Sequence, residues 1–581
     1  MKNQELIQEV TDKAKQWLTP AFDEETQAEV KKMLEQEDKT DLIESFYKNL
    51  EFGTGGLRGI MGVGSNRMNK YTLGMATQGL SNYLNEQFKD LEQIAVVIGH
   101  DCRNNSRKFA EITADIFTAN GIKVYLFEDL RPTPEISFAI RHLGCQSGVM
   151  ITASHNPKEY NGYKAYWNDG AQVLAPHDMG IINEVNKMSP KEVKFEGNKE
   201  LIEIIGEKID SIFLEVGRGI SINPEIIKRQ HDIKLVYTPI HGTGVKMVPA
   251  ALRYWGFTNI VNVPEQDVVS GDFPTVESPN PEEPAALSMA IERAKETNAE
   301  LVMASDPDGD RIGIACKNDE GEWVLVNGNQ ICLLYLYYIL SQYQEKGLLK
   351  GNEFCVKTIV TTELIKEIAQ SKEIKMLDTY TGFKWIASEI REREGKEKYI
   401  GGGEESYGFL PGDYVRDKDS VTACCLMAEI AAWAKDNGKS LYQVLEDIYV
   451  KYGFSKEKGI SVVKKGKSGA DEIRQMMTNF RNNPPKEIAG SKVVLWKDYK
   501  TLKATDAAGK QSDIVMPDTS NVLQYFTEAG DKVSVRPSGT EPKIKFYIEV
   551  KGEMKGRDDF DKANADADKK IEKVIEDLGI N

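Results

Sequence analysis

Cysteine is scarce and unpatterned in this chain: 7 in 581 residues, with no CxxC spacing and no metal-ligand rhythm. An odd count without a framework excludes a disulfide scaffold and points to a reducing compartment. The adjacent Cys424 and Cys425 fall in an apolar helical stretch and read as core. Long apolar runs are missing too. No segment approaches the roughly 20 uninterrupted apolar residues of a membrane span. The N-terminal MKNQELIQEVTDKAKQWL is charged and amphipathic, without the apolar run of a signal peptide, so a cytoplasmic location is expected. Positive charge is in deficit: 74 Lys and Arg face 90 Asp and Glu, a net charge of −16. Nucleic acid and anionic membranes are therefore excluded as general partners. An anionic small substrate remains compatible if its cationic contacts are local. No low-complexity tract is present. The glycine-rich stretch from Phe52 to Gly59 fits neither the dinucleotide fingerprint nor the P-loop, and Ser461 stands where a P-loop ending in Gly466-Lys467-Ser468 needs its first glycine.

What remains is ordinary globular material, 40% hydrophobic and 28% charged, long enough for about four domains. Residues 1–45 read as a helical extension, with Leu6, Ile7, Val10, Ala14, Trp17 and Leu18 at helical spacing. Strand-like runs then alternate with helix-like runs, which predicts mostly parallel sheets covered on both faces. The expected division is an α/β unit over 46–208, a second over 209–323, a third over 324–451 and a C-terminal unit over 452–581. The polar stretch 189–208 reads as a boundary. Functional loops in such sheets gather beyond the carboxyl ends of strands.

Several candidates sit at such ends. Ser154 and His155 follow the apolar run Gly148–Ile151, so a serine is held on a loop beside a histidine. Alone, that pair reads first as a polar turn, and the rest of the chain is what raises it. Asn161-Gly162 and Asp169-Gly170 are turn pairs flanking an aromatic segment, which predicts a hairpin that returns Lys164 towards Ser154. Arg58, among four glycines, suits a backbone that closely approaches an anion. After the run Leu301–Ala304 come Asp306, Asp308 and Asp310, three carboxylates at alternate positions. An EF-hand is excluded, because Arg311 stands at its obligatory glycine and Lys317 at its bidentate glutamate. Oxygen-only ligands favour Mg²⁺ over zinc. Lys384 follows a glycine at a strand-to-helix turn. Glu404 and Ser406, after three glycines, suit recognition of sugar hydroxyls. Arg536, Ser538, Gly539, Thr540 and Lys545 combine two cations, two hydroxyls and turn amides, complementary to a phosphate monoester.

Four of these blocks, TASHNP with Ser154, DPDGDR from Asp306 to Arg311, GEES from Gly403 to Ser406 and RPSGT from Arg536 to Thr540, occur in order. Together with FGTGGLRG around Arg58 and YNGYK ending at Lys164, they resemble the alpha-D-phosphohexomutase family from about residue 45 onward. The resemblance implies three related α/β domains and a C-terminal α+β domain, similar to TATA-binding-protein-like folds, around a central cleft. It implies a Ser154 phosphoserine and Mg²⁺ held by Asp306, Asp308, Asp310 and Ser154. Arg58, His155, Lys164, Arg311 and Lys384 are then candidates for phosphoryl stabilisation or proton transfer. Glu404 and Ser406 would hold the sugar. Arg536, Ser538, Gly539, Thr540 and Lys545 would hold the phosphate that is not reacting. The implied reaction interconverts hexose 1-phosphate and hexose 6-phosphate through a bisphosphate, with catalytic glucose 1,6-bisphosphate as activator. GEES, rather than GEMS, favours glucose. Mannose or pentose phosphates and a glucose-1,6-bisphosphate synthase are the alternatives, and monomer and dimer both stay open.

Overall fold

A computed structural model describes residues 2–53, 55–464, 466–538 and 543–580. Three helices, Lys2–Lys15, Glu24–Glu35 and Thr40–Phe46, open the chain. Val10, Ala14 and Trp17 are buried, as their spacing predicts. Trp17 stacks on Phe22 at 4.5 Å, and Tyr71 donates a hydrogen bond to Asp23 at 3.0 Å. The extension thereby packs on the helix Lys70–Gln87, whose start is fixed by reciprocal bonds between Asn69 and Thr72.

The first sheet contains β1 (Gly56–Ile60), β2 (Ala95–His100), β3 (Lys123–Phe127), β4 (Ser147–Ile151), β5 (Tyr160–Trp167) and β6 (Ile202–Ile205) in the order β1-β5-β4-β2-β3-β6. β4, β2, β3 and β6 run parallel, while β5 and β1 add antiparallel neighbours at one side. The stretch read as a polar boundary thus supplies the edge strand β6. The expected hairpin exists, but its turn lies elsewhere. Asn161-Gly162 is inside β5, and the reversal is the Ser154 loop between β4 and β5. Glycine is required at 162 by close approach: a Cβ there would meet the carbonyl oxygens of Thr152 at 2.5 Å and Leu57 at 2.8 Å.

The second sheet has β7 (Leu235–Thr238), β8 (Ile260–Asn262), β9 (Leu301–Ser305), β10 (Ile312–Lys317) and β11 (Trp323–Val326), ordered β11-β10-β9-β7-β8. β11 pairs with β10, so a boundary at 323/324 cuts through a strand of this sheet and is corrected to follow β11. The third sheet has β12 (Glu353–Thr358), β13 (Lys375–Thr379), β14 (Lys398–Glu404) and β15 (Gly408–Leu410), ordered β13-β12-β14-β15. The three glycines before Glu404 belong to β14, and only residues 405–407 form the turn.

The fourth sheet is antiparallel: β16 (Phe454–Val463), β17 (Glu487–Ile488), β18 (Ser491–Asp498), β19 (Lys503–Asp506), β20 (Gln511–Asp513), β21 (Leu523–Thr527), β22 (Lys532–Pro537) and β23 (Lys543–Gly552). Helices Gly466–Asn482 and Phe560–Asp577 pack against it. The architecture is three α/β units and a C-terminal α+β unit. One continuous apolar core joins the second, third and fourth units to the side of the first that carries Phe138 and Ile140. The third and fourth units are also locked by buried charge: Lys532 on β22 donates to Glu363 Oε1 at 2.8 Å and to the Thr361 carbonyl at 2.8 Å. Among the described residues no helix is long and apolar enough to cross a membrane.

Candidate functional site

Ser154 emerges one turn beyond β4 with φ 53°, a left-handed conformation unusual for serine. Its amide donates to Thr152 Oγ1 at 2.8 Å. Its Oγ donates to Asp306 Oδ2 at 3.2 Å and lies 3.2 Å from His155 Nδ1. The serine of the first sheet therefore touches the first carboxylate beyond β9 of the second.

The turn from β9 to β10 brings Asp306, Asp308 and Asp310 together, with one ligand oxygen from each within 4.8 Å of the others. Gly309, at φ 67°, makes the turn. Asp306 Oδ1 accepts the amides of Asp310 at 3.0 Å and Arg311 at 2.9 Å, leaving Oδ2 for Ser154. All three carboxylates are buried, and burial, Asp308 and Asp310 push the Asp306 carboxyl well up. Burial also opposes ionisation of Asp310, but Lys164, Lys418 and Arg311 reverse this and hold it below the usual carboxylate range. The inward oxygens Asp308 Oδ1 and Asp310 Oδ1 are buried without a hydrogen-bond partner. Buried acceptor-only oxygens of this kind fit a hard cation.

Cations ring this group. Lys164 on β5 donates to Asp308 at 2.7 Å and to Asp310 at 3.2 Å. Burial works against its charge, but Asp308 and Asp310 keep it protonated above the ordinary lysine range. Arg311 donates to Glu282 at 2.6 Å, and Arg58 to Asn156 Oδ1 at 3.0 Å, two residues beyond Ser154. His155 is held well below its usual range by burial, Arg311 and Arg58. Lys384 is the second residue of the helix Phe383–Arg393, and burial lowers its pKa. Glu404 accepts the amide of Gly382, two residues before Lys384, at 2.8 Å.

Ser406 and Lys545 line one cavity of about 320 Å³, together with Glu282, the partner of Arg311. The fourth unit thereby reaches the neighbourhood of the carboxylate loop. Arg536 faces Lys545 across β22 and β23. The Ser538 amide donates to the Lys543 carbonyl at 2.7 Å. Gly539 and Thr540 lie outside the described residues.

Two contributors, Lys418 and Thr133, carry no sequence assignment, and a third, Arg103, is marked in the sequence only by its place beyond the strand-like run Ile94–Ile98. Lys418 donates to Asp310 and to Asp417, each at 3.1 Å. Thr133 donates to Asp308 Oδ2 at 2.9 Å. Arg103 donates to the Ser154 carbonyl at 2.6 Å. A lysine between two aspartates ahead of an apolar helix was the available signal for Lys418. Thr133 had none.

Comparison with known proteins agrees with this arrangement. Residues 49–192, 219–321 and 327–452 match alpha/beta/alpha domains I, II and III of phosphoglucomutase/phosphomannomutase, and 494–567 match the C-terminal domain. A phosphoglucomutase of Staphylococcus haemolyticus is 37% identical over 514 residues, 87% of this chain and 91% of that protein. One from Staphylococcus aureus is 36% identical over 531 residues, 90% and 93% of the two. Among solved structures, a phosphoglucomutase (parafusin) from Paramecium in its open form superposes with a TM-score of 0.67 at 17% identity, over 92% of this chain and 95% of that one. A phosphoglucomutase/phosphomannomutase family protein from Burkholderia thailandensis superposes with 0.64 at 18%, over 91% and 98%. The chain belongs to the alpha-D-phosphohexomutase family, and it is a phosphohexomutase.

Proposed function

We propose that this phosphohexomutase is a phosphoglucomutase that carries its phosphoryl group on Ser154 and works with Mg²⁺ on Asp306, Asp308 and Asp310. The observation that carries the reading is the 3.2 Å contact of Ser154 Oγ with Asp306, beside two buried and unpartnered carboxylate oxygens. Mg²⁺ bound there supplies charge neutralisation at the phosphoryl oxygens.

The residues divide the remaining work. The Ser154 Oγ–P bond breaks as a hydroxyl of the hexose monophosphate forms its own bond to phosphorus. The hydroxyl proton passes to a base, and Ser154 Oγ regains a proton. Lys384 and His155 suit proton transfer, since burial favours their neutral forms. Lys164, held charged by Asp308 and Asp310, suits electrostatic support, as do Arg58 and Arg311. Glu404 and Ser406 hold sugar hydroxyls. Arg536, Ser538 and Lys545, with Gly539 and Thr540, grip the distal phosphate. The bisphosphate then turns over and returns its other phosphate to Ser154, and glucose 1,6-bisphosphate restores any enzyme that loses the group.

Glucose is the preferred sugar, in keeping with the phosphoglucomutase names of the bacterial relatives. A coupled assay tests this. Glucose 1-phosphate should yield glucose 6-phosphate with Mg²⁺ and trace bisphosphate, ahead of mannose and pentose 1-phosphates. Net accumulation of bisphosphate from an external donor, without interconversion, would make the enzyme a synthase instead.

A further inference from the structure

The Ser154 loop is held by a residue that touches none of the reacting groups. Arg103 follows β2 and its side chain is completely buried. Its Nη2 donates to the carbonyls of Ser154, at 2.6 Å, and Asn156. Its Nη1 donates to those of Pro157 at 2.9 Å and Tyr160 at 3.0 Å. Its Nε stands 3.3 Å from Asp101 Oδ2. The two terminal nitrogens of one planar guanidinium therefore span the loop from Ser154 to the first residue of β5, while Nε–H faces Asp101 as an ion pair without a hydrogen bond.

Asp101 is itself fixed. Its Oδ1 accepts the Arg103 amide at 2.9 Å and Ser106 Oγ at 2.7 Å, and its amide donates to Ile151 at 3.0 Å. The outer face of the guanidinium lies 5.2 Å from the ring centre of Phe273, which belongs to the second unit, as Asp306 does. Asn104 donates to Asp272 at 2.9 Å beside this contact. A left-handed serine needs such over-determination to persist.

We propose that Arg103 is a positioning residue for phosphoryl transfer, fixing the Ser154 turn in register with the carboxylate loop. The proposal rests on Ser154 being the phosphoryl carrier. Arg103→Lys keeps the charge opposite Asp101 but loses the planar fork. It should lower kcat about 100-fold, the effect of a displacement near 1 Å, with KM for glucose 1-phosphate changed less than about threefold. Hydrogen exchange should rise at amides 152–160 and stay unchanged on β9. Phe273→Leu keeps every hydrogen bond of the loop and gives a second, well-folding variant, expected to lower kcat about 10-fold at constant KM. Normal kcat per folded molecule in Arg103→Lys, or a KM rise at constant kcat in either variant, overturns the proposal. Ser154→Ala, assayed in parallel, separates the two readings: activity in that variant refutes the carrier, whereas an inert Ser154→Ala with normal Arg103→Lys refutes only the positioning role.

Discussion

Lys164 Nζ and Asp308 Oδ2 lie 2.7 Å apart, both buried, although they come from different sheets. This ion pair closes the first unit onto the second at the carboxylate loop.

Lys164→Ala leaves Asp308 and Asp310 in a buried site with their compensation reduced. Breaking a buried pair by removing one partner costs about 3–5 kcal/mol. The variant should unfold at lower temperature and lose activity. Added MgCl₂ should recover part of the thermal midpoint but not kcat. Thermal scans with and without Mg²⁺ check this, and an equal midpoint loss at all Mg²⁺ concentrations contradicts it.

Asp306→Asn tests the cation directly. Asp306 is the carboxylate that meets Ser154, and its other oxygen is already used by two amides. Loss of its charge should weaken Mg²⁺ binding by more than about 100-fold, the upper range for merely supporting partners. Calorimetric titration measures this, and EDTA should silence the unaltered enzyme until Mg²⁺ returns.

Gly162→Ala should be costly for a steric reason. The added methyl would meet two backbone oxygens, at 2.5 and 2.8 Å, and backbone cannot swing aside as a side chain does. We expect a loss of about 1–3 kcal/mol in denaturant unfolding. A drop in kcat should accompany it, since Thr152 Oγ1 holds the Ser154 amide.

Glu446, on the helix Leu441–Tyr452, is pushed up to about 7 by burial and by Asp319, with Arg557 acting the other way. The folded chain keeps this proton while the unfolded chain releases it near 4.5. Stability is therefore lost as pH rises from about 4.5 through 7. Solvent screening limits the effect to about 1 kcal/mol. Glu446→Gln should raise the thermal midpoint at pH 8 and leave it unchanged at pH 4.5. A gain of equal size at both values contradicts the assignment.

Local pattern and spatial assembly differ in what they leave in a sequence. β9 and its aspartates are legible because an apolar run and a carboxylate triplet are contiguous. The end of β4 is legible for the same reason. The Asn161-Gly162 pair misleads, because glycine serves close backbone approach as readily as turns. A boundary at 323/324 splits β11, because its pairing with β10 leaves no local mark in the sequence. Lys418 and Thr133 reach the carboxylates from distant segments, and no short-range spacing encodes that meeting.

The charges around Asp310 come from widely separated parts of the chain, with Lys418 the last of them. On a translating ribosome the serine turn is complete once β5 has emerged, but its electrostatic surroundings are finished only roughly tens of seconds later. A nascent chain thus presents Ser154 before Asp306 and Lys418, which complete its surroundings, have been made. Truncated products should be inert towards the cell's sugar phosphates rather than wasteful hydrolases of them.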